Sequence, residues 1–233
     1  MTTFVLVHGA WHGGWCWRRV SDLLEAKGHK VFTPTLTGLG ERSHLMRAGI
    51  DVSTHATDVV NLMKWERLSD VVLCGHSYGG MVISLVAEQM ADRIGSIAFL
   101  DAFVPENGDS MFELTNPVVR DSLTAATARG DISVPGRPAA AFLVNEKDQA
   151  WVDSLTGPQP IGTMTEKLKL SGAREKIAKK SYIRAGAYPN PGFDKALNRV
   201  KADKSWRTYD VPCGHDVMVD MPERLAEILL EVA

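Results

Sequence analysis

The chain has 233 residues, 45% of them hydrophobic and 23% charged, with a formal net charge of −2; this suits one domain with a sizeable core and an inserted subdomain. So balanced a charge supplies no basic face for nucleic acid and no polybasic anchor for a membrane surface, and no apolar run approaches the roughly 20 residues that span a bilayer. Its three cysteines, Cys16, Cys74 and Cys213, are odd in number, far apart and without metal-ligand spacing, so reduced thiols in a cytoplasmic protein are expected.

The opening "MTTFVLVHGAW" has no basic region before its apolar residues, so it reads as a first strand, Thr3–His8, and not as a signal peptide. "WCWRRVSDLLEAKG" follows with apolar residues at helical spacing and stops at Gly28. A second strand, Lys30–Pro34, runs into the loop "TLTGLGERSH", and "STHATDVVNLMKWERL" is a helix capped by Ser53 or Thr54. Asp70–Cys74 is a third strand, Met81–Ile94 a helix, and Ser96–Leu100 a fourth strand. This alternation predicts an α/β fold, with a mostly parallel, doubly wound sheet covered on both faces.

The rhythm stops after Phe103. Residues 104–180 hold prolines, short polar runs and the helical "TMTEKLKLSGAREKIAKK", and are expected to form a helical cap insertion above the sheet. The core resumes over 181–233 with the strand "SYIRAGAY", the helix "PGFDKALNRVK", the strand "WRTYDV" and a final helix opened by Pro222. Together with residues 1–103 this gives a sheet of about six strands.

The third strand meets its helix in "CGHSYGG", with Gly75, Ser77 and Gly79 in a G-x-S-x-G spacing. A serine on a tight strand-to-helix turn is exposed at the carboxyl edge of the sheet, and the glycines remove side chains that would collide there. A hydroxyl is a poor nucleophile until a base takes its proton. A nucleophile presented in this way is followed in the chain by an acid and then a histidine, and one histidine alone follows Ser77: His215, in "VPCGHDVMVDMPE". His76 points to the other side of the turn and packs or hydrogen-bonds, while His29, His44 and His55 read as surface or capping residues.

The acid has more than one candidate. Asp101 directly follows the fourth strand, which puts it at the sheet edge where it can hold the histidine tautomer. Asp194 is the rival but falls inside the next helix, Asp210 ends the last strand and reads as structural, and Asp216 beside the base faces away. The backbone N–H groups of Tyr78 and Ala10, the latter in "HGAWHGGW", are placed to form an oxyanion hole. Phe103, Phe112, Phe142 and Trp151 are candidates for an apolar pocket wall with Trp11 at its floor; packing within the core is the alternative.

"FVLVHGAWHGGWCW", "GHSYGGMVI", "FLDAFVPE" and "GHDVMVDMPE" together resemble the α/β-hydrolase superfamily, most of all the compact bacterial esterases and carbamate hydrolases related to plant methylesterases and hydroxynitrile lyases. The resemblance spans nearly the whole chain and is weakest across 105–175. It implies Ser77 as nucleophile, His215 as base, and Ala10 and Tyr78 as oxyanion donors. Plant relatives carry their acid after the strand matching Ser181–Gly186, where "GAYPNPGF" has no carboxylate; haloalkane dehalogenase-like members place it where this chain has Asp101. Hydroxynitrile lyases have threonine at the position of Gly9 and lysine close behind the histidine, so a cyanohydrin lyase is disfavoured.

The expected activity is that of a carboxylesterase acting on small to medium hydrophobic esters, without metal or cofactor, as a monomer or homodimer. An amide or carbamate hydrolase with the same machinery is the alternative, ahead of a non-catalytic ligand-binding protein.

Overall fold

The structure, a computed structural model, describes all 233 residues. Six parallel strands form the central sheet: β1 (Thr3–Val7), β2 (Lys30–Phe32), β3 (Val71–His76), β4 (Ile94–Leu100), and later β7 (Lys179–Ala185) and β8 (Trp206–Val211). Their spatial order is β2-β1-β3-β4-β7-β8. Burial explains who sits where. β3 is buried at every residue and β1 at four of five, whereas the edge strands β2 and β8 are half-exposed along most of their length.

Chain direction across the sheet reverses between β1 and β3, so right-handed crossovers put helices on opposite faces. α1 (Arg18–Glu25) packs on the last helix, α10 (Pro222–Glu231), while α2 (Val52–Trp65) packs on α3 (Gly79–Met90). The carboxyl ends of β1 and β3 flank this reversal, the place where open parallel sheets leave a crevice.

Between β4 and β7 the chain forms α4 (Met111–Leu114), α5 (Pro117–Ala128), a two-residue strand β5 (Ser133–Val134), α6 (Glu146–Leu155), its antiparallel partner β6 (Gln159–Pro160) and α7 (Gly162–Thr165). Arg19 of α1 grips Asp148 of α6 through two bonds of 2.7 and 2.8 Å, and holds the Val219 carbonyl with the same guanidinium. After β7 come α8 (Pro191–Lys201), β8 and the short α9 (Val217–Asp220).

Boundaries differ from expectation for identifiable reasons. β3 runs on to His76 because Gly75 and His76 still pair with Phe99 and Leu100; the glycine concealed this in the sequence. β4 starts earlier, at Ile94, and α3 ends at Met90, where a single 3₁₀ turn intervenes. The N-cap of α2 is Asp51, whose carboxylate takes the Thr54 N–H at 2.8 Å, so Thr54 completes the capping box and neither Ser53 nor Thr54 is the cap itself.

The glycines after β3 are required by close approach. A Cβ on Gly75 would lie 2.6 Å from the Gly79 carbonyl oxygen, and one on Gly79 would lie 2.8 Å from that of Val7. At Gly80 it would lie 2.0 Å from the Phe103 carbonyl oxygen. Backbone cannot yield as a side-chain tip can, so Gly80→Ala should lose about 3 kcal/mol of stability by urea unfolding. A midpoint equal to wild type would show that α3 shifts at no cost.

Candidate active site

Three residues at the carboxyl edge of the sheet hold left-handed backbone that disfavours any side chain: Trp11 at φ +67°, Ser77 at +54° and Asp101 at +42°. Such strain persists only where surrounding bonds over-determine it. The Ser77 N–H donates to the Leu100 carbonyl at 3.1 Å, and the Ser77 carbonyl accepts from Gly80 and Phe103. Asp101 N–H donates to the Ile183 carbonyl at 2.7 Å. The elbow between β3 and α3 is thereby sewn to the turn that leaves β4, and Ser77 keeps 8% of its surface exposed.

His215 lies on the loop after β8. Its N–H donates to the Phe142 carbonyl at 2.9 Å. Its ring nitrogen Nδ1 donates to Asp101 Oδ2 at 2.6 Å, with both side chains almost wholly buried. That bond fixes the tautomer and leaves Nε2 as the free ring nitrogen. Tyr188 and Phe193 stack on the imidazole at 4.7 and 5.4 Å, and Phe142 tilts against it at 5.6 Å.

Asp101 Oδ1 accepts from the Ala185 N–H at 3.1 Å and from Arg184 Nη1 at 2.6 Å. Asp194 meets the other side of the same guanidinium, from within α8, and Asp210 is exposed at the end of β8. Among the candidate acids, Asp101 is the one in contact with His215. Arg184 was missed in the sequence, where it is one of three basic residues in the strand KKSYIRA and nothing singles it out.

The N–H groups of the two oxyanion-donor candidates are unpartnered. The Ala10 and Tyr78 N–H groups donate to no protein acceptor, whereas the Trp11 N–H is taken by Gln159 Oε1 at 2.9 Å. The Trp11 carbonyl accepts from Gly157 N–H, also at 2.9 Å. Segment 157–159 therefore holds the loop after β1 through both of Trp11's backbone groups. No sequence signal marked Gln159.

Behind the site lies a buried histidine network. His12 Nδ1 faces the Ala10 carbonyl at 2.7 Å and Nε2 faces Asp216 at 3.1 Å, an arrangement of two acceptors that favours the imidazolium. Burial opposes both charges, yet each holds the other, His12 above and Asp216 far below its ordinary value. Asp216 thus turns inward to this pair, contrary to expectation. His76 Nε2 donates to the His215 carbonyl at 3.0 Å, and its ring lies 4.4 Å from that of His215. His55 is fully buried between Tyr78 Oη and the Thr37 carbonyl, so it is no surface residue.

These histidines give stability a defined pH dependence. Burial pushes His8 down to about 3 and His55 to about 4, and holds His76 well below the usual range. All three stay neutral when folded, but bind protons in the unfolded chain below about pH 6.5. Stability should therefore fall as pH drops from 6.5 toward 5, at up to about 4 kcal/mol per unit while all three are unmatched. His12 acts in the opposite sense, contributing below its unfolded value and losing that contribution as pH rises through its raised folded value. Urea midpoints from pH 4.5 to 8.5 should show both slopes; a flat profile between 6.5 and 5 would contradict the neutral burial.

The candidate pocket residues divide. Phe142 lies against His215 and Trp11, with Trp11 to Phe142 at 5.9 Å, and Phe103 meets Phe193 edge-on at 5.0 Å. Phe112 instead packs under the Arg120 guanidinium, and Trp151 between Trp15 and Arg19. Tyr188 and Phe193, which stack on His215 itself, were missed; they follow β7 in a stretch that the search for a carboxylate passed over.

The sequence matches the model of the alpha/beta hydrolase family over residues 4–228, and the chain belongs to that family. Among its relatives is the carbendazim hydrolyzing esterase of Nocardioides sp. (strain SG-4G), 40% identical over 98% of both chains. Another is salicylic acid-binding protein 2 of Nicotiana tabacum, 40% identical over 99% of this chain and 96% of that protein. In structure it resembles an extracellular alpha/beta-hydrolase from a Paenibacillus species, with a TM-score of 0.87 and 25% identity over 100% of this chain and 99% of that one. No helix is long and apolar enough to cross a membrane.

Proposed function

We propose that the protein is a serine carboxylesterase in which Ser77, His215 and Asp101 form the catalytic triad. The observation that carries this reading is the pairing of Ser77, held at φ +54° on the β3–α3 turn, with the 2.6 Å bond from His215 Nδ1 to Asp101 across the same sheet edge. His215 Nε2 takes the Ser77 proton as Oγ attacks the ester carbonyl carbon. The oxyanion accepts the idle N–H groups of Ala10 and Tyr78, which need no reorganisation when charge develops. As the tetrahedral intermediate collapses, the C–O bond to the leaving group breaks and His215 returns the proton to the departing alcohol. Water then repeats both steps on the acyl-serine, releasing the acid and restoring Ser77.

The near-complete burial of this edge and its aromatic lining favour small to medium hydrophobic esters, with residues 104–180 acting as the cap that shapes the site. A carbamate substrate is the second reading, favoured by full-length likeness to a relative named for hydrolysing carbendazim. Turnover of matched esters and carbamates separates the two. A cyanohydrin lyase is disfavoured at Gly9, where a Cβ would lie 2.8 Å from His76 Nδ1 and 3.0 Å from Ser77 Cβ.

Incubation with a p-nitrophenyl phosphonate tests the reading. One p-nitrophenolate should be released per chain, with a single mass adduct mapping to Ser77. Saturable ester binding without any adduct would instead mark a ligand-binding protein on a hydrolase fold.

A further inference from the structure

β7, an interior strand of the sheet, carries an arginine close to its carboxyl end. Arg184 is only 4% exposed, yet all five of its N–H donors are matched. Nη1 donates to Asp101 Oδ1 and to the Ala185 carbonyl, both at 2.6 Å. Nη2 donates to the Tyr188 carbonyl at 2.6 Å and lies 2.9 Å from Asp194 Oδ1, which Nε also meets at 3.0 Å. One guanidinium thus joins the triad acid, the helix α8, and the loop whose Tyr188 ring stacks on His215.

We propose that Arg184 is a positioning residue of the hydrolytic site. It holds Oδ1 of Asp101 so that Oδ2 alone faces His215, and its charge weakens the affinity of the Asp101–His215 pair for a proton. This rests on the serine-hydrolase reading above and supplies a device the sequence does not announce. The acid directly follows β4, the loop after β7 carries no carboxylate before Asp194, and β7 provides the acid's cation instead.

The sign follows from charge alone. Proton uptake takes the Asp101–His215 pair from one negative charge to neutral, and a neighbouring cation opposes it wherever the proton rests. Other groups also face the pair. His76 approaches from β3, with Asp216 and its partner His12 behind His215. Tyr182 from β7 feels the Asp101 charge, and Cys213 after β8 feels those of Asp101 and Asp210. Tyr188 brings Arg137 near, and Asp194 reaches the pair through Arg184. Asp216 is already matched by His12, and Arg137 lies over the Phe142 ring. Arg184 is the cation hydrogen-bonded to the pair.

The test is kcat/KM for p-nitrophenyl acetate from pH 5 to 9 in wild type, Arg184→Met and Arg184→Lys, with phosphonate labelling of Ser77 in each. The acid limb of Arg184→Met should move up by about one pH unit. Arg184→Lys keeps the charge but cannot span all four acceptor atoms. Its limb should stay near wild type while kcat falls about tenfold and KM changes little. A folded, labelled Met variant with an unmoved limb overturns the electrostatic role, and a Lys variant with wild-type kcat overturns the positioning role. Should Arg184→Met fail to fold, a Lys variant with a displaced limb or wild-type kcat decides against the proposal. Wild type that neither labels nor turns over condemns the underlying hydrolase reading instead.

Discussion

Ser77→Ala should reduce p-nitrophenyl ester turnover by about 10⁴-fold or more, leaving only what the oxyanion donors and substrate binding supply. The size of the loss follows from the parts acting as a unit: without Oγ, His215 has no proton to take and Asp101 nothing to orient. Stability should stay near wild type, since the methyl remains and the backbone keeps its φ of +54°. Ser77→Gly sharpens the test. It should be equally inactive yet more stable by about 1 kcal/mol, because glycine tolerates that left-handed turn without a Cβ penalty. Esterase assays beside urea unfolding read both effects. An alanine variant within tenfold of wild type would remove Ser77 from the chemistry.

The second large effect is at the acid. Asp101→Asn should lower kcat by about 10³ to 10⁴-fold near neutral pH, since an amide no longer holds the proton on Nδ1 and the imidazole can present the wrong nitrogen to Ser77. It also strips Arg184 of its buried counter-charge at 2.6 Å, so a loss of about 3 kcal/mol in stability should accompany the kinetic defect. Asp194→Asn is the control that separates the two carboxylates. Its side chain is 56% exposed and touches Arg184 from outside, so turnover should remain within about tenfold of wild type. Equal losses at both positions would mean that the site depends on the whole ion network and not on Asp101 as its acid.

How far these features were legible depends on how local their causes are. The six strands and their order of appearance follow from apolar runs and glycine stops, and the elbow from three residues of spacing. The contact between Asp101 and His215 was foreseeable because both residues follow strands whose carboxyl ends the topology brings to one edge. What escaped depends on contacts between distant parts of the chain. His12 and Asp216 are 204 positions apart, and only the fold makes them a buried ion pair. His55 resembles any polar residue at the start of an amphipathic helix until Tyr78 and Thr37 close around it. The extent of β3 was hidden by Gly75, whose lack of side chain lowers strand propensity while allowing α3 to approach. Gln159 sits in a stretch with no periodicity, and its importance comes wholly from the Trp11 amide it receives.

That last contact bears on how this enzyme can be altered. The Gly157–Gln159 stretch holds the backbone of Trp11, and the Phe142 carbonyl holds the backbone of His215. One interstrand excursion therefore braces two loops at opposite ends of the sequence. Exchanging it wholesale for that of another hydrolase, to import a new substrate range, would carry the turnover number along with the selectivity. Variation confined to its side chains, Gln159 excepted, would leave in place the two main-chain attachments and the Gln159 side-chain bond to the Trp11 N–H. Libraries built on this scaffold should accordingly keep the main-chain path of residues 142 and 157–159 and the Gln159 side chain, and diversify the side chains that face the ester.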